Sequence, residues 1–318
     1  MTNIKSPPHL KMCSFNVHGY NNGLSMIENL CDTHDIIFIQ EHWLQESELY
    51  KINNINTDFN CFSISSMSKK LSSGILTGRP FGGVSIMFKK SLSSLIKILD
   101  YDHDMGKFIS LNLQTNVGDL ILTRVYLPCV KFSRDYIIDA SVIIAHIENM
   151  LIAYPSAHHL IAGDYNFECA VGNPGFNLFE PIISAYNLVC CDFINVSKLN
   201  YTYVHESLDQ HSWLDHVFIT KGIEQYLICF NIIDNGANCS DHLPISCSLS
   251  IQVSNTARST SPIHSGYKER WTKLISFLII IVPVIYCSLL LYLVNYHIVM
   301  RVYVLIIKLL LMINIIIS

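Results

Sequence analysis

Six short segments of this 318-residue chain close apolar runs with side chains able to hold a cation, move a proton or steer a phosphate. They are Phe15-Asn16-Val17, Ile39-Gln40-Glu41, Val125-Tyr126-Leu127-Pro128, Gly163-Asp164-Tyr165-Asn166, Trp213-Leu214-Asp215-His216 and Ser240-Asp241-His242-Leu243-Pro244. The set contains Asp, Glu, Asn, Tyr and His and no cysteine ligand pair. Oxygen donors of this kind suit a hard cation such as Mg²⁺, with Mn²⁺ as the alternative. Hydrolysis of a phosphodiester needs such a cation for the developing charge, a group to orient or deprotonate water, and donors for the phosphate oxygens. The inventory supplies each part.

Strand ends are where a rigid scaffold presents side chains to a shared cleft. The first 250 residues alternate strand-like apolar runs with amphipathic stretches. Strands are expected over Lys11–Val17, Ile36–Gln40, Gly83–Phe88, Phe108–Leu113, Leu120–Leu127, His159–Ala162, Leu188–Ile194, Tyr201–His205, Leu214–Thr220 and Leu243–Ile251. Helices are expected near Leu24–Thr33 and, most clearly, over Asp135–Ile152, where Ile137, Ile138, Ser141, Ile144, Ala145 and Ile147 recur near a 3.6 period and Ser133 is a candidate cap. Many strands with few helices suggest two packed sheets with helices outside.

Charge and hydropathy divide the chain near residue 255. Residues 1–255 hold 15 Lys and Arg against 24 Asp and Glu, a net −9; the remainder holds 6 basic groups and one acid, a net +5. An acidic domain does not attract nucleic acid in bulk, so a DNA substrate would need a local basic surface. Lys69, Lys70, Arg79, Lys89, Lys90, Lys131 and Arg134 are the candidates for it, or are solvated loop charges. The 11 cysteines lack CxxC spacing, and several sit in strand-like runs, which fits reduced thiols in an intracellular compartment. The segment Met1 to Lys11 has no apolar core, so no signal peptide is expected, and the sequons at Asn195, Asn200 and Asn238 then read as chance matches.

The expected organisation is an N-terminal extension over 1–10, one domain over 11–252, a linker over 253–272 and a hydrophobic tail over 273–318. The linker is rich in Ser, Thr, Asn and Pro from Ser254 to Ser265. In the tail, Leu274 to Val294 is uncharged and about long enough to span a bilayer as a helix. Lys268, Arg270 and Lys273 precede it and would keep the N-terminal domain cytosolic. A second span, to Ile317, is interrupted by Arg301 and Lys308. The tail reads either as a membrane anchor or as translated AT-rich sequence after a truncated element.

In order, spacing and flanking hydrophobicity the six segments resemble the exonuclease–endonuclease–phosphatase superfamily. Within it, they look like the apurinic-endonuclease-like nuclease domain of non-LTR, LINE-type retrotransposons. The resemblance covers about Lys11 to Ile251. It implies a four-layered α/β sandwich: two mixed β-sheets packed together and flanked by helices, followed here by the hydrophobic helical tail. It also implies a Mg²⁺-dependent phosphodiesterase, an endonuclease that nicks one strand of DNA and leaves a 3′-hydroxyl. Such a protein is expected to be monomeric and intracellular, and nuclear if it serves retrotransposition.

By the same resemblance Glu41 is the principal metal ligand, with Asn16 and Asp241 near the same ion. Asp164 orients or deprotonates the attacking water. Asn166 bonds a phosphate oxygen and Tyr126 donates its hydroxyl near the scissile phosphate. His242 donates to the phosphate in the transition state, and Asp215 positions its imidazole. Thr202 matches a position beside the DNA. Trp213 is either core or DNA-facing, because the loop from His205 to Ser212 corresponds to a hairpin that helps select the nick site.

Two departures bear on substrate. His18 stands where related repair enzymes carry an Asp, and His216 where they carry a Tyr; both choices are LINE-like. His216 itself reads as a structural strand residue. A membrane-anchored lipid phosphodiesterase of the neutral sphingomyelinase kind shares the core motifs. It usually shows Thr-His-Leu where this chain has Val125-Tyr126-Leu127-Pro128. The third reading is an inactive retrotransposon-derived fragment.

Overall fold

The computed structural model describes residues 9–67, 79–103, 106–129, 136–194 and 197–253. The chain divides into two compact units, Met1–Ile263 and His264–Ser318. The second unit lies outside the described residues, and with it the expected membrane span over 274–294. Lys69, Lys70, Lys131, Arg134, Ser133 and Asn195 also lie outside them.

The first unit opens with β1 (Leu10–Asn16), α1 (Tyr20–Thr33), β2 (Ile36–Gln40), α2 (Tyr50–Asn53), β3 (Phe59–Ile64) and β4 (Val84–Lys89). It continues through β5 (Ile96–Tyr101), β6 (Phe108–Thr115), β7 (Gly118–Tyr126), α3 (Tyr136–Ala153), β8 (His158–Asp164) and α4 (Pro174–Tyr186). It ends with β9 (Leu188–Cys190), the hairpin β10 (Tyr203–His205) and β11 (Gln210–Ser212), then β12 (Asp215–Thr220), β13 (Leu227–Ile232) and β14 (Ile245–Leu249). One six-stranded sheet has the order β13-β14-β1-β2-β4-β3 and the other β5-β6-β7-β8-β12-β9. Both are mixed: β1 and β2, and β7 and β8, run parallel, and the other pairs run antiparallel.

Strand periodicity explains the layers. Leu10 and Met12, Ile36 and Phe38, Leu120 and Leu122, Leu160 and Ala162, and Val217 and Ile219 point into one core between the sheets. Their neighbours point outward. Cys13, Phe15, Ile37 and Ile39 pack under Met26, Ile27 and Leu30 of α1. Val125, Ile161 and Phe218 pack under α3 and α4. Both faces of the central strands are therefore buried, which is why they read as unbroken apolar runs. The result is a four-layered α/β sandwich, as the sequence led us to expect.

Several elements differ from the sequence reading. The strand expected over Leu188–Ile194 stops at Cys190, and Cys191–Ile194 forms a 3₁₀ turn. There Asp192 leaves the ladder to meet His216. The strand expected from Tyr201 begins at Tyr203. Helix α4 was not foreseen; it carries Pro174 and Gly175 in its first turn and Pro181 within it, residues that weaken a helical pattern. Pro is tolerated in the first turn of a helix, and the Asn173 side chain accepts from the Gly175 and Phe176 amides to cap it. Lys89 and Lys90 lie at the wrong end to serve a cleft at Glu41: β4 pairs Val84 with Gln40 and Phe88 with Ile36. Lys89 is moreover engaged by Asp35 at 2.8 Å.

Candidate active site

The pleat and strand direction together assemble the site. Asn16, Gln40, Tyr126, Asp164 and Asp215 each continue the inward-facing series of their strands. β1, β2, β7 and β8 end at the same rim, where antiparallel β12 begins opposite Asp164. β14 runs antiparallel to β1, so the loop before it brings His242 to that rim as well. The close approach of β7 and β8 depends on Gly163, where a Cβ would lie 1.9 Å from the Val125 carbonyl oxygen.

The contacts form one network. Asn16 Nδ2 donates to Glu41 Oε1 at 3.0 Å and to Asp164 Oδ2 at 2.9 Å. Asp164 also accepts from the Asn166 backbone at 2.9 Å and from Asn166 Nδ2 at 3.1 Å. Asn166 Nδ2 reaches the Leu127 carbonyl at 2.9 Å. The Tyr126 hydroxyl hydrogen-bonds to Glu41. His242 Nδ1 meets Asp215 Oδ2 at 2.8 Å, while its Nε2 lies 3.9 Å from Asp164 Oδ2. The loop carrying His242 is stitched to β1 by Ser240 Oγ, which donates to the Asn16 carbonyl at 2.8 Å. Asn238 Nδ2 donates to the His242 carbonyl at 2.6 Å.

Burial sets the electrostatics. Asp164, Asp215 and His242 are all nearly inaccessible. Burial pulls the His242 imidazolium down, but the Asp215 and Asp164 carboxylates outweigh it and raise the group to about 10. Burial drives the Asp164 carboxyl up, with the His242 charge opposing. At Glu41 burial also pushes up, yet hydrogen bonds from Tyr126, Asn16 and Trp43 prevail and hold the carboxyl below its ordinary value. The site thus holds an ionised Glu41 beside a cationic His242.

Four residues around this cleft escaped the sequence reading as contributors. His18 Nδ1 pairs with Asp241 Oδ1 at 2.6 Å. Trp43 Nε1 donates to Glu41 Oε2 at 3.1 Å, and its ring stands edge-on to His18. Lys107 Nζ lies 4.1 Å from the centre of the Tyr126 ring, and burial lowers it to about 8. Arg124, fully buried, donates from Nη1 to the Lys107 carbonyl at 3.2 Å. Burial weighs against its charge, which Asp164, Tyr126 and Glu41 favour. A guanidinium keeps its proton in proteins, so a fixed positive charge underlies the carboxylates. The available signal for Arg124 was its two-residue offset from Tyr126, which places both on one strand face.

Backbone strain concentrates here as well. Among the described residues six non-glycine residues have left-handed φ, and four of them, His18, Glu41, Trp43 and Asn166, border the cleft.

Three of the expected site residues are engaged by neighbouring groups of the protein. Asn16 turns its amide NH₂ to the two carboxylates, and its Oδ1 accepts from the His18 amide at 3.1 Å. In that pose it bridges Glu41 and Asp164. Thr202 is fully buried, and its Oγ1 accepts from the Leu214 and Asp215 amides at 2.9 and 3.0 Å. It therefore braces Asp215 instead of facing a ligand. Trp213 donates to the Asp215 carbonyl at 2.9 Å and stacks on Phe230, which places it against the core. The hairpin expected between Thr202 and Asp215 is present as β10 and β11.

A hard divalent cation fits the donor set. Glu41 is a half-buried carboxylate held below its ordinary value, and Asp215 Oδ1 is a buried oxygen with no hydrogen-bond partner among the described residues. Asp164, Asp215 and His242 bring donor atoms within 4.8 Å of one another. His242 Nδ1 and Asp215 Oδ2 are spent on each other, which leaves Glu41, the free Asp215 Oδ1 and Asp241 on the neighbouring loop as the oxygens that could hold an ion.

Comparison with known proteins places the fold. No curated protein sequence matches the chain. An apurinic endonuclease from Leishmania major has a similar structure, with a TM-score of 0.59 at 12% identity over 78% of this chain and 90% of that one. The endonuclease domain of TRAS1, a telomere-specific non-LTR retrotransposon, superposes with a TM-score of 0.54 at 11% identity over 76% of this chain and 98% of that one. A 3′ phosphatase from Neisseria, bound to a product DNA hairpin, gives 0.52 at 14% identity over 76% and 99%. The sequence model for the endonuclease/exonuclease/phosphatase family matches residues 13–242, from β1 through His242. The chain belongs to the endonuclease/exonuclease/phosphatase family, a family of metal-dependent hydrolases.

Proposed function

We propose that this protein is a Mg²⁺-dependent phosphodiesterase that nicks one strand of DNA, as in LINE-type retrotransposition. The observation that carries the reading is the His242 imidazole, clamped through Nδ1 by Asp215 with Nε2 turned to Asp164 at the cleft floor. Glu41 would hold the ion, with Asp241 nearby, and a bound divalent cation would polarise the phosphate and offset charge developing on it. Asp164 takes the proton of the attacking water, and its rise with burial brings its basicity nearer to neutral pH. Asn166 and Asn16 fix that carboxylate's orientation. His242, held cationic, donates from Nε2 to a phosphate oxygen. Tyr126 and Lys107 flank the same place with a hydroxyl and an ammonium.

The structural likeness to the TRAS1 nuclease domain supports DNA as substrate. So do the β10–β11 hairpin beside His242 and the Tyr126 segment, which lacks the Thr-His-Leu pattern of lipid-directed enzymes. The test uses the purified full chain in detergent with Mg²⁺ and supercoiled plasmid, beside the His242→Ala variant and a parallel sphingomyelin assay. Plasmid relaxation by the wild type alone is expected. Sphingomyelin hydrolysis without nicking would instead assign a lipid phosphodiesterase, and the apolar run over 274–294 would then be its anchor.

A further inference from the structure

A second cluster of chemically able side chains sits on the opposite face of β12. His216 follows Asp215 in sequence, so its side chain leaves the strand on the outer, helix-covered side. Around it the fold gathers Cys169 from the segment after β8, Cys190 from the end of β9 and Asp192 from the turn that follows. One donor atom from each of these four residues lies within 4.8 Å of every other. His216 Nδ1 is 2.5 Å from Asp192 Oδ2 and 3.6 Å from Cys169 Sγ. Cys190 is within hydrogen-bonding reach of both Cys169 and His216. All the described cysteines are free thiols.

Two further observations point to a ligand. His216 Nε2 lies 2.7 Å from the Phe167 carbonyl oxygen, so it carries the proton and donates there. That hydrogen bond fixes the ring with Nδ1 turned to the thiols, the arrangement of a metal-bound histidine supported from behind by a carbonyl. Asp192 Oδ1 is buried and has no hydrogen-bond partner among the described residues. A buried carboxylate oxygen left this way is costly unless something binds it.

We propose that Cys169, Cys190, Asp192 and His216 form a structural Zn²⁺ site on the back of the strand that carries Asp215. Two thiolates, one imidazole and one carboxylate suit a borderline-soft, tetrahedral ion and not Mg²⁺. With metal–sulfur bonds of about 2.3 Å and metal–nitrogen and metal–oxygen bonds of about 2.0 Å, a tetrahedron has edges of roughly 3.2–3.8 Å. The Cys169–His216 separation already matches. The Asp192–His216 contact must open by under ~1 Å, because a proton now sits between them where the ion would go.

Binding releases that proton and the two thiol protons to solvent and leaves four protein ligands with no open position. An entry path exists: Cys169, Asp192 and His216 line a cleft of ≈ 430 Å³ together with Tyr201, His211 and Trp213. Cys190 and His216 are held by the ladder itself, through Phe218 opposite Cys190. An ion here would tie β9, β12 and the segment after Asp164 into one unit and so stiffen the mounting of Asp164 and Asp215. The proposal does not depend on the hydrolytic reading, since none of its ligands faces the cleft at Glu41.

The experiment titrates the full chain, purified under reducing conditions in detergent and stripped with EDTA, with Co²⁺ as a spectroscopic probe and then with Zn²⁺. One equivalent of Co²⁺ should produce thiolate-to-metal charge-transfer absorption and the intense visible bands of tetrahedral cobalt, both erased by Zn²⁺. Zinc at a thousandfold excess over its Kd should raise Tm by roughly 10 °C. Cys169→Ser, at a half-buried position, should lose the charge-transfer intensity of one thiolate and bind at least ~100-fold more weakly. Asp192→Asn keeps the side-chain shape and should bind ~10–100-fold more weakly, which serves if the cysteine variant does not fold. In Glu41→Gln the thiolate-to-cobalt charge-transfer band should grow with the midpoint of the wild type, because that band reports the cysteine ligands alone. Absence of the charge-transfer band at saturating Co²⁺ would overturn the site. So would a Cys169→Ser or Asp192→Asn chain that binds as tightly as the wild type, since other cysteines would then be the ligands.

Discussion

Strand β12 carries two histidine–aspartate pairs back to back. On its inner side Asp215 holds His242 at 2.8 Å, and on its outer side His216 holds Asp192 at 2.5 Å. Both pairs are buried, and in both the carboxylate raises the histidine above its ordinary value against the pull of burial. They part at the other ring nitrogen. His216 Nε2 is spent on the Phe167 carbonyl, whereas His242 Nε2 points past Asp164 into the cleft. A charged imidazole can act on a substrate only if one donor edge is left for it. The pairing alone does not separate a working histidine from an anchoring one.

Ranked by effect on turnover, the sharpest break in this comparison is Asp164→Ala. It removes the water-orienting base from the inner side, and single-turnover nicking should fall about 10⁴-fold with the circular dichroism spectrum unchanged. His242→Ala should cost about 10³-fold by the same measurement. Near wild-type nicking in either variant would remove the inner pair from the mechanism. Glu41→Gln should shift the Mg²⁺ titration of activity upward by ~10–100-fold, and an unshifted titration would deny Glu41 the ion.

His216→Gln should change turnover little and stability much, by about 3–5 kcal/mol in denaturant melts, because Asp192 would be left buried and unpaired. The pH dependence has a defined sign. A histidine raised in the folded state stabilises fully below its ordinary value of 6.5, and that contribution is lost as pH rises through the raised value. In EDTA-treated protein the alkaline fall in Tm should therefore shrink in His216→Gln. Deleting residues 256–318 should have the smallest effect, leaving a soluble domain with unchanged nicking; an unfolded product would move the domain boundary.

The sequence disclosed the middle of the molecule better than its edges. β1, β2, β4, β7, β8 and β12 are buried on both faces and announce themselves as apolar runs. β3, β5 and β13 went unseen. Each lies at the edge of a sheet, where partial exposure dilutes the pattern. The chemical residues were legible because each ends a recognisable run. Arg124 was passed over, because a lone charge within an apolar strand stands out only once the strand's inward face is fixed by Tyr126 two residues on. The outer cluster was hidden for a different reason. Cys169, Cys190, Asp192 and His216 come from four separate stretches, with none of the close spacing by which metal sites are recognised in sequence.

The pairing of β1 with β14 has a consequence for how the protein comes into being. Leu10 lies opposite Leu249 and Ser14 opposite Ile245, so β1 pairs with a strand more than two hundred residues later in the chain. Such a closure bridges almost the whole domain and is slow compared with local structure. The contact from Ser240 to the Asn16 carbonyl spans 224 residues of chain. The sheet that carries Asn16 and Glu41 therefore closes only after β14 has been made. A chain stopped short of β14 carries His242 but lacks the strand that seats its loop against β1.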